Sequence, residues 1–292
     1  MLELLALAIA PTLFILLYIY RKDRYEPEPL HLIAWVFFIG AFSVIPAALV
    51  ELLFPEGIFS SAVVAPVVEE AAKFLVVFLA IYRHPGFDEP MDGIVYATAA
   101  GLGFATVENI LYVIEGGLAV GIIRAIASVP GHVVFSCIWG FALGTAKFRP
   151  DNERTGIILT GLLSAMLLHG IFNFSLEVFG AFGLVLILVV IIPLGWRMTC
   201  RNIGCAHADP ASACSAKNRP ASLSVPAGTT PAGMSPVPSQ HPLSPSEPSL
   251  SFGIMADSSP RSAGDGMHRF CTNCGAENKA GKRFCGNCGK EF

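Results

Sequence analysis

The chain has 292 residues, of which 53% are hydrophobic and only 14% charged, with a mean hydropathy of +0.61 and a formal net charge of −3. A soluble domain carries about a quarter charged residues, so this composition excludes an ordinary soluble protein and points to one that crosses a membrane repeatedly. The small net charge averages two unlike halves and gives no argument for a polyanionic partner.

Seven apolar windows are each long enough to span a bilayer as a helix, which takes about 20 residues. They are residues 1–20, 30–53, 59–81, 91–114, 118–147, 155–174 and 178–196. The first contains "LAIA", a small-residue stretch resembling a cleavage site. Its leading residues carry Glu3 and no Lys or Arg, and the apolar run continues to Tyr20, so a retained span is expected. The segments after the odd-numbered windows hold Arg21, Lys22, Arg24, Arg83, Lys147, Arg149, Arg154, Arg197 and Arg201. Those after the even-numbered windows ("FPEGI", "EGG", "SLE") hold no basic residue. Basic loops stay in the cytoplasm. The expected product is an all-α polytopic membrane protein of about seven transmembrane helices, multi-pass in the cell membrane, with its N-terminus outside and its C-terminal tail cytoplasmic.

After Trp196 the composition changes. Ten of the 21 prolines lie between residues 210 and 260, among Ser, Ala and Gly. Such a segment buries too little apolar surface to offset chain entropy, so 197–269 is expected to be a disordered linker. It ends in "FCTNCGAENKAGKRFCGNCGKEF", with Cys271-x-x-Cys274 and Cys285-x-x-Cys288, each pair followed by glycine. Four thiolates at this spacing suit one tetrahedral zinc ion, and two disulfides would conflict with a reducing cytoplasm. Residues 270–292 therefore read as a small cytoplasmic zinc ribbon whose structural metal supplies its folding energy. Its mild basicity is too weak to argue nucleic-acid binding, and a cytoplasmic protein partner suits it better.

Ionisable groups inside the windows carry the most information, because each costs about 2.5–3.5 kcal/mol on insertion scales. Residues 63–82, "VVAPVVEEAAKFLVVFLAIY", place Glu69 and Glu70 within one helical turn of Lys73, which lowers the cost of an ionised carboxylate. Phe104 and Glu108 share a face of the fourth window. The fifth holds Arg124 and His132, and the sixth holds His169 and Asn173 at i, i+4. At 1.5 Å per residue, Glu69 lies ~15 Å deep, Glu108 and His169 ~8–9 Å, and His132 ~12 Å if Arg124 marks the interface. Convergence on one site in the outer half of the bilayer is the simplest way to satisfy all of them. Carboxylates and imidazoles gathered there can activate water, with or without a metal. A proton-coupled transporter also needs intramembrane Glu and His, and a non-catalytic scaffold is the third class. The chain shows no internal repeat of the transporter kind.

Glu69-Glu70-x-x-Lys73, Phe104-x-x-x-Glu108, His132 and His169-x-x-x-Asn173 resemble the motif set of the PrsW intramembrane proteases, relatives of the CAAX-processing and bacteriocin-processing membrane proteases. "YRKDRYEPEP" after the first window is also similar to that family, and the resemblance covers roughly residues 1–196. In the larger group the second motif usually ends in His where this chain has Glu108, which leaves open a metal ligand or a hydrogen-bonding role there. The resemblance implies hydrolysis of a peptide bond in a membrane-protein substrate, such as an anti-sigma factor, near the outer face of the lipid bilayer. It implies Glu69 as the base that deprotonates water, with Glu70 and Lys73 holding its charge state. His169, with Asn173 beside it, would bind a metal or stabilise the oxyanion, and Glu108 and His132 would complete the site. A catalytic divalent metal, if used, would then fall to Glu108, His132 and His169.

Overall fold

The computed structural model describes residues 2–207 and two short segments, 268–270 and 277–279. Between Leu2 and Ala206 every regular element is a helix: α1 (Leu2–Tyr20), α2 (Leu30–Phe42), α3 (Val44–Glu51), α4 (Ala65–Ala80), α5 (Pro90–Ile123), α6 (Val129–Lys147), α7 (Asp151–Leu186) and α8 (Ile192–Ala206). Among the described residues, four continuous helical stretches are long and apolar enough to cross a membrane: Glu3–Tyr20, Leu30–Glu51, Pro90–Lys147 and Asp151–Ala206. Residues 60–80 are of similar length but carry Glu69, Glu70 and Lys73.

The two longest stretches, 58 and 56 residues, far exceed a bilayer of about 30 Å, and both reverse direction at one glycine. Gly117 (φ 71°) and Gly180 (φ 52°) take backbone conformations that side-chain-bearing residues rarely adopt. Around Gly117, α6 folds back antiparallel on α5: Gly93 lies against Gly140 and Gly144, and Gly101 against Ser136. Around Gly180, α7 runs past α6 with Gly161 at Trp139 and Phe172 at Gly131, and α8 returns with Gly195 at Val134. Where the sequence suggests loops at 115–117 and 175–177, the structure turns on single residues, Gly117 within the first and Gly180 beyond the second, inside the seventh window. Close approach through small residues is how helices pack when lipid removes the hydrophobic drive between them.

Prolines shape the rest. Helical segments Ser60–Val64, Arg124–Ser128 and Ile187–Ile191 are each a π turn, and in each case a proline (Pro66, Pro130 or Pro193) follows two residues later. A proline inside a helix lacks an N–H and collides with the carbonyl four residues back. Widening the preceding turn relieves that collision and frees carbonyls that other side chains can use. Pro46 has a milder effect: α2 and α3 meet at Ser43, whose hydroxyl donates to the Gly40 carbonyl at 2.7 Å.

α5 is the centre of the bundle. Its residues Met91 to Thr106 are all buried, as expected of a helix enclosed on every side. The outer surface is apolar, with Phe14, Trp35, Leu79, Leu167 and Phe182 largely exposed, which suits contact with lipid.

The final helix corrects one boundary. It does not stop at Trp196 but continues to Ala206, with Ile203 and Ala206 buried and the His207 ring 2.8 Å from the Lys22 carbonyl. The first ten residues expected in the linker therefore belong to the helical body. Residues 208–267 of the linker and Cys271, Cys274, Cys285 and Cys288 lie outside the described residues. The described segments near them, β1 (His268–Phe270) and β2 (Glu277–Lys279), pair antiparallel with Arg269 opposite Asn278.

Candidate active site

Glu69, Glu70 and Lys73 stand in the first three turns of α4, and the helix period brings all three side chains together. Lys73 Nζ donates to Glu69 Oε2 and Glu70 Oε1, each at 2.9 Å, and lies 3.0 Å from His132 Nδ1. Lys73 and Glu70 are fully buried, and Glu69 is 7% exposed. Phe104 from α5 covers the ammonium, with its ring centroid 4.3 Å from Nζ, a contact that favours a desolvated cation. Glu70 is sealed in: its Oε1 also meets His169 Nδ1 at 3.0 Å, and its Oε2 accepts from Trp139 Nε1 at 3.0 Å.

The second half of the site comes from α5 and α6. Glu108 Oε1 lies 2.9 Å from Arg124 Nη2, and its Oε2 lies 2.9 Å from His132 Nε2. Arg124 also donates from Nε to Asn109 Oδ1 at 2.6 Å and stacks on Tyr112. α7 supplies His169, whose ring stacks on Phe135 with centroids 4.5 Å apart, and Asn173. The Asn173 amide donates to the Ser61 carbonyl at 2.9 Å. That carbonyl is free because the π turn gives the Ala65 N–H to Ser60 and the next residue, Pro66, has none to offer.

Glu69, Glu108, His132, His169 and Asn173 line one cavity of about 850 Å³. All seven side chains expected in the site thus come together, although the two histidines have separate carboxylate partners. Ligand-type atoms of Glu69, Glu70 and His169 form one set within 4.8 Å of one another, and those of Glu69, Glu108 and His132 form another. The expected trio of Glu108, His132 and His169 is not such a set among the described residues, and Glu69, which the resemblance gives as the base, belongs to both.

Two carboxylates and an imidazole are a donor combination that suits zinc. The second set fits better, because both Glu70 oxygens are already hydrogen-bonded whereas Glu108 Oε2 is buried without a well-aligned hydrogen bond. One condition applies. A charged Lys73 can only donate, so His132 Nδ1 accepts and Nε2 carries the proton toward Glu108. Ligation through Nε2 requires that proton on Nδ1 and Lys73 turned to its two carboxylates alone.

Two participants escape a reading of the sequence for motifs. Trp139 lies seven residues after His132, two turns along the same face, which was the available signal. Arg124 reads as an interface marker, but it is the partner of Glu108.

Residues 28–196 match the sequence family described as PrsW family intramembrane metalloprotease, and residues 270–292 match a zinc-ribbon domain. The chain belongs to the PrsW family. Similar relatives include Protease PrsW of Oceanobacillus iheyensis, 40% identical over 64% of this chain and 88% of that protein. Protease PrsW of Clostridioides difficile is 40% identical over 68% of this chain and 88% of that protein. Protease PrsW of Geobacillus kaustophilus is 40% identical over 60% and 80%. No solved structure is similar. Membership decides between the classes that buried Glu and His residues allow: the protein is an intramembrane peptidase of a metallopeptidase family, not a transporter or silent scaffold, and its substrate is a membrane protein.

Proposed function

We propose that the protein hydrolyses a peptide bond of its substrate near the outer face of the membrane, with Glu69 as general base. One observation carries this reading: of the two adjacent carboxylates, Glu69 lines the cavity while Glu70 is sealed behind it in three hydrogen bonds. Lys73 holds Glu69 through Oε2, leaving the other oxygen to take a proton from the attacking water and later pass it to the leaving amine. Glu70 accepts from His169 Nδ1 and fixes the ring, and donation from Nε2 to the oxyanion then requires a proton on both ring nitrogens. Glu108, held by Arg124, orients His132. Asn173 steadies the π turn that starts α4 rather than reaching the scissile bond. A divalent metal held by Glu108 and His132, with Glu69 beside it as base, would polarise the carbonyl and acidify water.

The glycine reversals and the basic loops support seven crossings with the N-terminus outside, the body ending at Ala206, a linker beyond it, and a cytoplasmic ribbon holding structural zinc on Cys271, Cys274, Cys285 and Cys288. A cytoplasmic module of that kind suits recruitment of a protein partner. A single-span protein such as an anti-sigma factor is a fitting substrate.

The test is cleavage of a single-span reporter by purified protein. Glu69→Gln and His169→Ala should each abolish cleavage and leave the protein inserted and folded; full activity in the Glu69→Gln protein would remove the base assignment. Phosphatase fused after Gly116 should be active outside and, after Asn152, inactive. The reverse pattern would overturn the orientation.

A further inference from the structure

The charge of the cavity is lopsided. Besides Glu69 and Glu108 it is lined by Glu51 at the end of α3, Glu56 in the connection to α4, and Glu177 in α7. Glu56 and Glu177 are exposed, whereas Glu51 is half-buried, with Oε1 shielded and lacking a hydrogen-bond partner. Three separate elements therefore bring carboxylates to one cleft, where the cost of leaving a buried acceptor unpaired is substantial. Among the residues lining the cavity, Arg124 is the one permanent cation, and it is committed to Glu108 and Asn109. Nothing on the lining neutralises Glu51, Glu56 or Glu177.

We infer that Glu51, Glu56 and Glu177 determine specificity, by receiving a lysine or arginine that flanks the scissile bond of the substrate. The inference rests on the peptidase reading of the same cavity and adds the chemical class of the residue it selects. A cation there would meet the unpaired Glu51 oxygen in a partly desolvated cleft, where charge attraction exceeds its value in water, while an acidic flank would meet the like charges of Glu56 and Glu177. Selection of this kind would be discriminating, because the outer flanks of membrane spans are ordinarily poor in Lys and Arg.

The experiment uses the full chain in detergent and three single-span reporters that differ only in the flanking residue, Lys, Gln or Glu. Wild-type kcat/KM should fall in that order, with Lys at least about tenfold above Glu at low salt and the ratio shrinking as salt screens the charges. In the Glu56→Gln/Glu177→Gln protein, changed only at exposed positions, the Lys-to-Glu ratio should drop. Adding Glu51→Gln should bring it close to one. Equal kcat/KM for the three reporters in the wild type, or a ratio that survives all three substitutions, would overturn the selectivity alone. A folded wild-type protein that cleaves none of the reporters would overturn the peptidase reading, and the selectivity with it.

Discussion

Two groups of buried charges sit at the start and near the middle of α5, about sixteen residues or ~24 Å apart along the helix from Asp92 to Glu108, and they solve the same problem differently. In the active site, Glu69, Glu70 and Glu108 are matched by Lys73, Arg124 and two imidazoles, and every carboxylate has an ion partner within 3.0 Å. At the start of α5, Asp23, Glu28 and Asp92 are buried together with Glu89 beside them. There Tyr96 donates to Glu28, and Asp92 caps the helix by accepting the N–H groups of Asp88 and Glu89. The neighbouring Lys147 instead donates to the carbonyls of Tyr82 and Phe87. Oxygens of Asp23, Glu89 and Asp92 remain buried without partners. Matched charges keep a site ionised and ready for chemistry. Unmatched carboxylates must hold protons to stay buried, which makes that end sensitive to pH instead.

The largest effect expected is from Lys73→Ala. It strips the cation from two buried carboxylates, and breaking such a pair costs about 3–5 kcal/mol. Cleavage should vanish and the thermal midpoint in detergent should fall sharply; an unchanged midpoint would mean the charges are not matched as described.

Next in size is Arg124→Gln, which leaves Glu108 without its guanidinium. Loss of a group that orients a catalytic residue commonly costs about 10–100-fold. That loss should appear in kcat with the fold retained, and Arg124→Lys should restore part of it.

The unmatched end gives a smaller effect with a definite sign. Burial, with Asp23 and Glu26 nearby, pushes the Glu89 carboxyl up to about 8, and burial pushes Asp23 up to about 6. Burial raises Glu28 as well. Protons are then held more tightly in the folded protein than in the unfolded chain. Their contribution to stability is complete below the unfolded values near about 4 and is lost as pH rises through about 6 and about 8. The thermal midpoint should therefore fall by several degrees between acidic and alkaline pH, and Glu89→Gln should flatten that slope. A midpoint that rises over the same range would contradict the sign.

The smallest effect concerns the tail. Truncation after Pro210, which spares α8, should leave hydrolysis in detergent within about twofold, because the catalytic side chains all lie between Glu69 and Asn173 and uniform contributions from elsewhere are not required for the chemical step. A folded truncation unable to cleave would assign the ribbon a direct part.

How much of this was legible in the sequence follows from distance along the chain. Glu69, Glu70 and Lys73 sit within one turn, so the helix period alone brings them together. His169 and Asn173 share a face for the same reason, but that period cannot say that His169 meets Glu70, 99 residues away, or that Asn173 reaches a carbonyl released by Pro66. Trp139 and Arg124 were hidden by ambiguity of type, since a tryptophan among small residues and an arginine near a span end both have ordinary explanations. Hydropathy found the apolar windows but placed loops at 115–117 and 175–177, whereas the chain turns at single residues, Gly117 and Gly180, the second of them inside the seventh window. It also ended the last helix at Trp196, because the amphipathic residues up to Ala206 look polar in a running average although one face packs on the bundle. The convergence of Asp23 and Glu28 with Glu89 and Asp92 joins segments about sixty residues apart, and no local pattern announces it.

The central claim is that Glu69 does the chemistry while Glu70 holds the site together, and a side-by-side measurement of Glu69→Gln and Glu70→Gln tests it most directly. Reporter cleavage and thermal midpoint would be read on each purified full-length protein. Glu69→Gln should lose cleavage with its midpoint close to wild type, because a Gln at the cavity wall can still accept from Lys73. Glu70→Gln should lose cleavage and melt well below wild type, because it disturbs the bonds to Lys73, His169 and Trp139 together. A Glu69→Gln protein that cleaves at the wild-type rate, or a Glu70→Gln protein as stable as wild type, would contradict the account.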